Sequence, residues 1–180
     1  GMIEWDESGA MAQAHEFTLE NMPKTMKTTA TDSESGTHEG QAREELTIVD
    51  TIAYTGLIPG DEYTVSGILM DKATGDPALD DAGSEITAST TFTAEESCGT
   101  VNVTFPFAGA SLAGKSLVAF ETMEFEGAEY MVHADIGDVE QTVAIVDIAT
   151  QARDAETGTN VGTIGEHVKL IDTISYTELT

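Results

Sequence analysis

Cysteine, basic residues and long apolar runs are all scarce in this sequence. Cys98 is the only cysteine among 180 residues, so no disulfide can form within the chain. Lysine and arginine together number 7 against 33 aspartates and glutamates, which gives a formal net charge of −26. A chain this acidic repels phosphate groups, so we expect neither nucleic acid nor an anionic membrane as partner. No apolar run reaches the roughly 18 residues of a membrane-spanning helix, so no membrane insertion is expected.

Targeting signals are also missing, but their absence says nothing about location. The opening Gly1-Met2 pair is typical of recombinant expression, so we expect the sequence to be one piece of a longer protein. The hydrophobic content is 40%, which is enough to form the core of an ordinary domain.

Short runs of alternating apolar residues recur along the chain, separated by Gly, Pro and Asp clusters. They are rich in Thr, Val, Ile and Tyr, as half-buried sheet surfaces require, and no long helical period is present. Several short strands at this spacing predict an all-β fold, a β-sandwich. We predict a turn at 58–62, a short helical turn at 108–114, and strands at 24–31, 45–55, 62–71, 85–93, 99–106, 116–124, 128–134 and 140–148.

The chain repeats itself at a constant offset of 122 residues. "TTATDSESGT" (28–37) matches "TQARDAETGT" (150–159), and "VDTIAYTGL" (49–57) matches "IDTISYTEL" (171–179). About half of the aligned positions are identical without a gap, which indicates a tandem array. We therefore predict three parts: a leader or arm at 1–23, one complete repeat at 24–148, and the truncated start of a second repeat at 149–180. Arrays of β-sandwiches at this period are typical of stalks.

Polar residues interrupt the faces that strand alternation turns inward. Asp50 shares a face with isoleucines and a tyrosine, Glu121 with Leu117, and Gln141 with valine and isoleucine. His133 is expected to return beside Gln141 through a tight turn at "DIGD" (135–138). Taken singly, each has an ordinary alternative as a turn cap, a surface group or an edge residue. Their joint occurrence within one repeat favours a shared chemistry.

A threonine hydroxyl, a base and a carboxamide together can form an ester. Histidine held by aspartate can deprotonate a hydroxyl, and the hydroxyl can then attack a glutamine carboxamide and expel ammonia. A protonated glutamic acid can stabilise the charge that develops on the carboxamide oxygen. Thr28 returns in the second repeat as Thr150, whereas Thr29 is replaced by Gln151, so the repeat favours Thr28 as the nucleophile.

Four segments carry a resemblance to a known family: "KTTATD" (27–32), "VDTIAYTGLIPGDEYTVSG" (49–67), "VAFE" (118–121) and "HADIGDVEQT" (133–142). Together they resemble the VaFE-repeat, or Thr–Gln ester-bond, domains of Gram-positive cell-surface adhesins. The resemblance covers roughly 24–148 and resumes at 150. It implies an immunoglobulin-like β-sandwich in an extracellular, cell-wall-anchored stalk, with neighbouring repeats of the same chain as partners, an unknown host or surface ligand, and no cofactor or metal.

The same resemblance implies a role for each candidate residue. The ester would join Thr28 in the first strand to Gln141 in the last, with Asp50 orienting His133 as the base and Glu121 as the neutral acid. The reaction would occur once per domain, so the protein would not be a turnover enzyme. In the second repeat only the equivalents Thr150 and Asp172 are present, so that repeat is not expected to cross-link within this sequence.

Three alternatives stay open. The first is the same stalk role with a Lys–Asn isopeptide bond, for which Lys27 lies next to Thr28 but is replaced by Ala149 in the second repeat. The second is a module that binds a ligand or Ca²⁺ through oxygen-rich turns, although none has the full calcium-loop pattern. The third is a hydrolase that uses His133 and Asp50, against which stand the tandem repetition and the lack of a Gly-rich nucleophile elbow.

Overall fold

The computed structural model describes residues 22–155 and 170–177. The predicted leader or arm therefore lies outside the described residues except for positions 22 and 23. The strands are β1 (Thr25–Asp32), β2 (Glu39–Gln41), β3 (Leu46–Thr55), β4 (Glu62–Asp71), β5 (Thr87–Thr93), β6 (Cys98–Phe107), β7 (Ser116–Phe125), β8 (Ala128–His133), β9 (Thr142–Asp154) and β10 (Leu170–Thr177). A 3-10 turn at Ala110–Leu112 occupies the predicted helical turn.

The strands form two sheets, as an immunoglobulin-like sandwich requires. The smaller sheet has the order β1-β3-β6. The larger has the order β10-β9-β7-β4-β5, and in addition β2 pairs with β9 and β8 pairs with β7. Among the strands of the described residues, all pairings are antiparallel except that of β2 with β9. The all-β prediction is confirmed, and no helix in the described part is long and apolar enough to cross a membrane.

The eight predicted strands correspond to β1, β3, β4, β5, β6, β7, β8 and β9, but two features differ from the prediction. The short strand β2 was not predicted, because its sequence "EGQ" has no apolar alternation and its place depends on pairing with β9. The last predicted strand covers residues 142–154 rather than 140–148, so Gln141 lies in the turn just before β9 and not in the strand.

The core lies between the two sheets, where inward residues of both meet. Alternation on β3 buries Ile48, Asp50 and Ile52, as predicted. Gly67 on β4 permits an especially close approach of the sheets, because a Cβ there would lie 2.5 Å from the ring of Phe105 on β6. The sandwich is thus tightly packed beside the strand pair that carries Glu121, which lies opposite Gly67.

Strand β9 continues from the first repeat into the second without a break in its backbone. Beyond residue 146 it pairs with β10, where Thr150 lies opposite Ile174 and Ala152 opposite Asp172. These pairings repeat the register of β1 with β3 at an offset of 122 residues. The second repeat therefore begins with the same two-strand register as the first.

Candidate cross-linking site

Six polar or charged side chains are buried in the described part of the chain: Thr28, Asp32, Asp50, Asp71, Glu121 and Gln141. Asp32 and Asp71 lie near the surface with basic partners, Arg43 and Lys115 respectively. The other four are among the candidate residues, and they come from β1, β3, β7 and the turn before β9. Burial of polar groups is costly unless they satisfy one another, so this grouping requires a chemical explanation.

Two backbone hydrogen bonds place Gln141 between the sheets. The Ala30 amide of β1 donates to the Glu140 carbonyl at 2.8 Å, and the Ala119 amide of β7 donates to the Gln141 carbonyl at 3.1 Å. One bond ties the turn to the smaller sheet and the other ties it to the larger sheet. As a result the Gln141 side chain enters the core and has no exposed surface.

The Gln141 carboxamide contacts both the threonine and the first carboxylate. Its Nε2 donates hydrogen bonds to Thr28 Oγ1 and to Asp50 Oδ1, the latter at 3.1 Å. Thr28 is buried, whereas Thr29 is exposed because alternation turns it to the opposite face of β1. The hydroxyl of Thr28, and not that of Thr29, therefore faces the carboxamide.

Asp50 and Glu121 form a buried carboxyl pair beside that contact. Burial, first, and then the negative charge of Asp50 together raise the pKa of Glu121 to about 10. Burial also raises the pKa of Asp50, while hydrogen bonds from Glu121, Gln141 and the Thr29 backbone oppose the rise. The pair therefore keeps a proton on Glu121 at neutral pH, with Asp50 as the acceptor of the Gln141 amide.

That proton matters because buried oxygens in the site lack donors. Asp50 Oδ2, both oxygens of Glu121 and Gln141 Oε1 are buried with no donor among the described residues. A neutral Glu121 carries one O–H, which it can donate to the Asp50 carboxylate. The site thus holds a neutral acid beside Asp50, the carboxylate that binds the Gln141 carboxamide.

His133 ends β8, opposite Glu121 on β7. Its Nε2 lies 2.9 Å from Asp138 Oδ2, so the carboxylate that holds the imidazole is Asp138 and not Asp50 as the resemblance implied. Asp50 instead accepts a hydrogen bond from Gln141. The electrostatic effect of His133 on Asp50 is to lower the pKa of that carboxyl. The sequence does not single out Asp138, because an aspartate at the end of the "DIGD" turn is an ordinary turn residue.

The remaining candidates lie in the second repeat. Thr150 and Asp172 are placed on β9 and β10 by the pairing given above, and Asp172 is exposed where its counterpart Asp50 is buried. The side chain of Thr150 is outside the described part.

The alternatives find less support in the structure. Of the four described lysines, Lys24 and Lys27 are exposed, Lys72 donates to Thr142 and Lys115 pairs with Asp71, so none is buried beside a core carboxylate as an isopeptide bond requires. Within 22–155 and 170–177 no group of three or more His, Cys, Asp or Glu side chains is placed to hold one metal ion.

A β-sandwich with a buried Thr–Gln contact is the class of protein that this fold and site define. A family model described as "T-Q ester bond containing domain" matches residues 24–145 and, a second time, residues 146–180. The chain belongs to the T-Q ester bond containing domain family. No curated protein sequence matches the chain.

Comparison with solved structures finds matches at low sequence identity. A bacterial adhesin from Mobiluncus mulieris containing intramolecular disulfide, isopeptide and ester bond cross-links is 13% identical, with 84% of this chain and 75% of that chain covered and a TM-score of 0.50. A second crystal form of that adhesin gives the same identity and coverage at a TM-score of 0.48. A DUF4466 family protein from Parabacteroides merdae is 14% identical over 79% of this chain and 55% of that chain, with a TM-score of 0.32.

Proposed function

We propose that this chain is a structural stalk segment of a bacterial cell-surface adhesin, braced by an ester that forms spontaneously between Thr28 and Gln141. The observation that carries the proposal is the contact between the Gln141 carboxamide and the Thr28 hydroxyl, in a buried site with a neutral carboxylic acid beside it. Membership of the T-Q ester bond family supports the bond. The similar fold of an adhesin described as ester cross-linked motivates the location at the cell surface.

The proposed reaction is an acyl transfer from nitrogen to oxygen. Thr28 Oγ1 attacks the carboxamide carbon of Gln141 while His133 takes the hydroxyl proton. Charge that develops on Gln141 Oε1 is stabilised by the O–H of Glu121. The carbon–nitrogen bond then breaks, the proton passes to the departing nitrogen, and ammonia leaves. An ester between the two side chains remains, and the histidine returns to its neutral form.

Asp50 would hold the carboxamide during this reaction. It accepts a hydrogen bond from Gln141 Nε2 at 3.1 Å, which fixes the plane of the carboxamide relative to Thr28. Fixing two reacting groups in contact removes most of the entropy cost of bringing them together. The burial of Thr28 and Gln141 would then keep water from the product, so that the ester persists. Each domain would react once, which makes the process self-modification and not turnover.

The position of the bond suits a mechanical role. It would join β1 to the start of β9, and β9 continues into the second repeat. Tension that enters at β1 would pass through the ester into β9 and on to the next repeat, without separating the strands between them. Because both repeats share one strand, no flexible linker separates them in the described backbone, as a stalk requires.

The intact mass of the purified protein tests the proposal. We expect a deficit of one ammonia relative to the sequence, lost in Gln141→Ala and retained in the matched control Gln41→Ala, whose side chain is exposed on β2. Hydroxylamine should cleave an ester and remove the cross-link. An unmodified mass would reject the ester, and a deficit that resists hydroxylamine would indicate an isopeptide bond instead.

A further inference from the structure

The contact between His133 and Asp138 has no part in the reaction as given above. His133 Nε2 lies 2.9 Å from Asp138 Oδ2, and each side chain is about a quarter exposed, at 24% and 23%. An imidazole at the rim of a core is free to turn toward solvent unless a partner holds it. Asp138 is that partner, and it stands three positions before Gln141 in the chain.

Asp138 is itself fixed by three further hydrogen bonds. Its Oδ1 accepts from the Glu140 amide at 2.9 Å, and its own amide donates to the Asp135 carbonyl at 3.1 Å. Its carbonyl accepts from Thr142 Oγ1 at 2.6 Å, and Lys72 Nζ on the β4 side donates to that same hydroxyl at 3.0 Å. Asp138 is therefore anchored to the turn that carries Gln141. Through Thr142 it is also linked to Lys72, which follows β4.

This contact decides which imidazole nitrogen is basic. An ionised carboxylate can only accept hydrogen bonds, so Nε2 must carry the proton that it shares with Asp138. The lone pair of the neutral imidazole is then on Nδ1. The ionisable groups facing this ring are Asp138 from the turn, Glu121 from β7 and Asp50 from β3, and of these only Asp138 is in hydrogen-bonding contact with it.

We propose that Asp138 is a positioning residue of the cross-linking reaction: its carboxylate holds His133 so that Nδ1 is the nitrogen that takes the Thr28 proton. This inference rests on the proposed ester. It divides the two aspartates between the two reactants, with Asp138 orienting the base and Asp50 orienting the carboxamide. The residue that orients the base thus lies in the short segment that joins the base, His133, to the acyl donor, Gln141.

Two substitutions at Asp138 separate orientation from mere support of the turn. In Asp138→Asn the amide oxygen can still accept from the Glu140 backbone, but the amide NH₂ faces Nε2, which must then accept. The proton moves to Nδ1 and the base is lost, so we expect cross-linking slower by about 10²–10⁴-fold. Asp138→Ala leaves both tautomers available and loses the orientation of the ring together with the Oδ1 acceptor of the Glu140 amide, so we expect a smaller loss, on the order of 10-fold.

The whole chain is made by cell-free synthesis, and a translation inhibitor stops synthesis at a set time. Intact mass then follows the loss of ammonia, which gives the rate of cross-linking. Asp135→Asn is the matched control, because Asp135 caps Gly137 in the same turn without touching His133. Its rate should stay within about two-fold of the parent rate. Folding of each variant is compared by thermal unfolding in a Gln141→Ala background, where no ester contributes.

Nuclear magnetic resonance reports the tautomer of His133, which does not depend on the stability of the turn. In ¹⁵N-histidine-labelled Gln141→Ala protein, His133 should carry its proton on Nε2, and adding Asp138→Asn should shift that proton to Nδ1. The proposal is overturned if Asp138→Asn cross-links at the parent rate, if Asp138→Ala is the slower of the two, or if the tautomer does not change. A parent protein that shows no ammonia deficit would instead reject the ester itself, so the two failures are distinguishable.

Discussion

The carboxamide of Gln141 lies against the hydroxyl of Thr28, although 113 residues separate them in the chain. The contact depends on two strands from different sheets, because Ala30 of β1 holds the turn before Gln141 and Ala119 of β7 holds Gln141 itself. The reacting groups therefore meet only when both sheets of the sandwich have assembled. Cross-linking should in consequence follow folding and not precede it.

Loss of the nucleophile should destabilise the domain strongly. A bond that closes a loop of 113 residues restricts the unfolded chain by about 4–5 kcal/mol, on the model used for disulfides. We expect Thr28→Val, which keeps the shape but lacks the hydroxyl, to lose the ester and to lower the free energy of unfolding by that amount. Denaturant unfolding of the two proteins measures the difference.

The neighbouring threonine supplies the control for that measurement. Thr29→Val changes an exposed position on the same strand, so it should keep the ammonia deficit and most of the stability. Thr28→Ser should also retain the cross-link, because serine offers the same hydroxyl. Equal stability of Thr28→Val and Thr29→Val would contradict the account.

The buried acid should make stability fall as pH rises. The pKa of Glu121 is about 10 in the folded protein against 4.5 as the ordinary value, so between these limits the folded state holds a proton that the unfolded state has released. Stability from this group is fully present below pH 4.5 and is lost as pH rises toward 10, with a slope of at most about 1.4 kcal/mol per pH unit.

This slope is best measured without the ester. In Gln141→Ala protein, denaturant unfolding at several pH values from 5 to 9 should show the decline, and adding Glu121→Gln should flatten it because glutamine does not titrate. Glu124→Gln on the same strand is a suitable control for the general effect of charge. An equal slope with and without Glu121 would show that the carboxyl is ionised in the folded state.

The close approach at Gly67 should be sensitive to a single methyl group. A Cβ at this position would meet the Phe105 ring at 2.5 Å, which is too short for any real contact, so the sheets would have to separate. We expect Gly67→Ala to lower the free energy of unfolding by about 1–3 kcal/mol, with Ser66→Ala nearly neutral. The same variant should slow ester formation, since Gly67 lies opposite Glu121 on β7. An unchanged unfolding midpoint would indicate that the sheets are loosely packed here.

Much of the site could be predicted from the sequence because strand alternation is a local signal. Asp50 and Glu121 share faces with large apolar residues, and both are buried as predicted. The internal repeat separated Thr28 from Thr29, and the structure places the first inside and the second outside. In each case the information lies within a few residues of the position in question.

The parts that failed depend on contacts between distant segments. The partner of His133 could not be read from the chain, because either Asp50 or Asp138 satisfies the chemistry and only the turn geometry decides between them. The displacement of Gln141 from the strand into the turn follows from the hydrogen bonds of Glu140 to β1 and of Gln141 to β7, which no local pattern encodes. The strand β2 exists only because β9 offers it a partner.

The most direct test of the central claim is a peptide map of the purified protein after trypsin digestion. Cleavage at lysine and arginine leaves Thr28 in a peptide 28–43 and Gln141 in a peptide 116–153. The account predicts one branched species that contains both peptides less one ammonia, with fragment ions that place the bond on Thr28 and Gln141. Recovery of the two peptides as separate, unmodified species would contradict it.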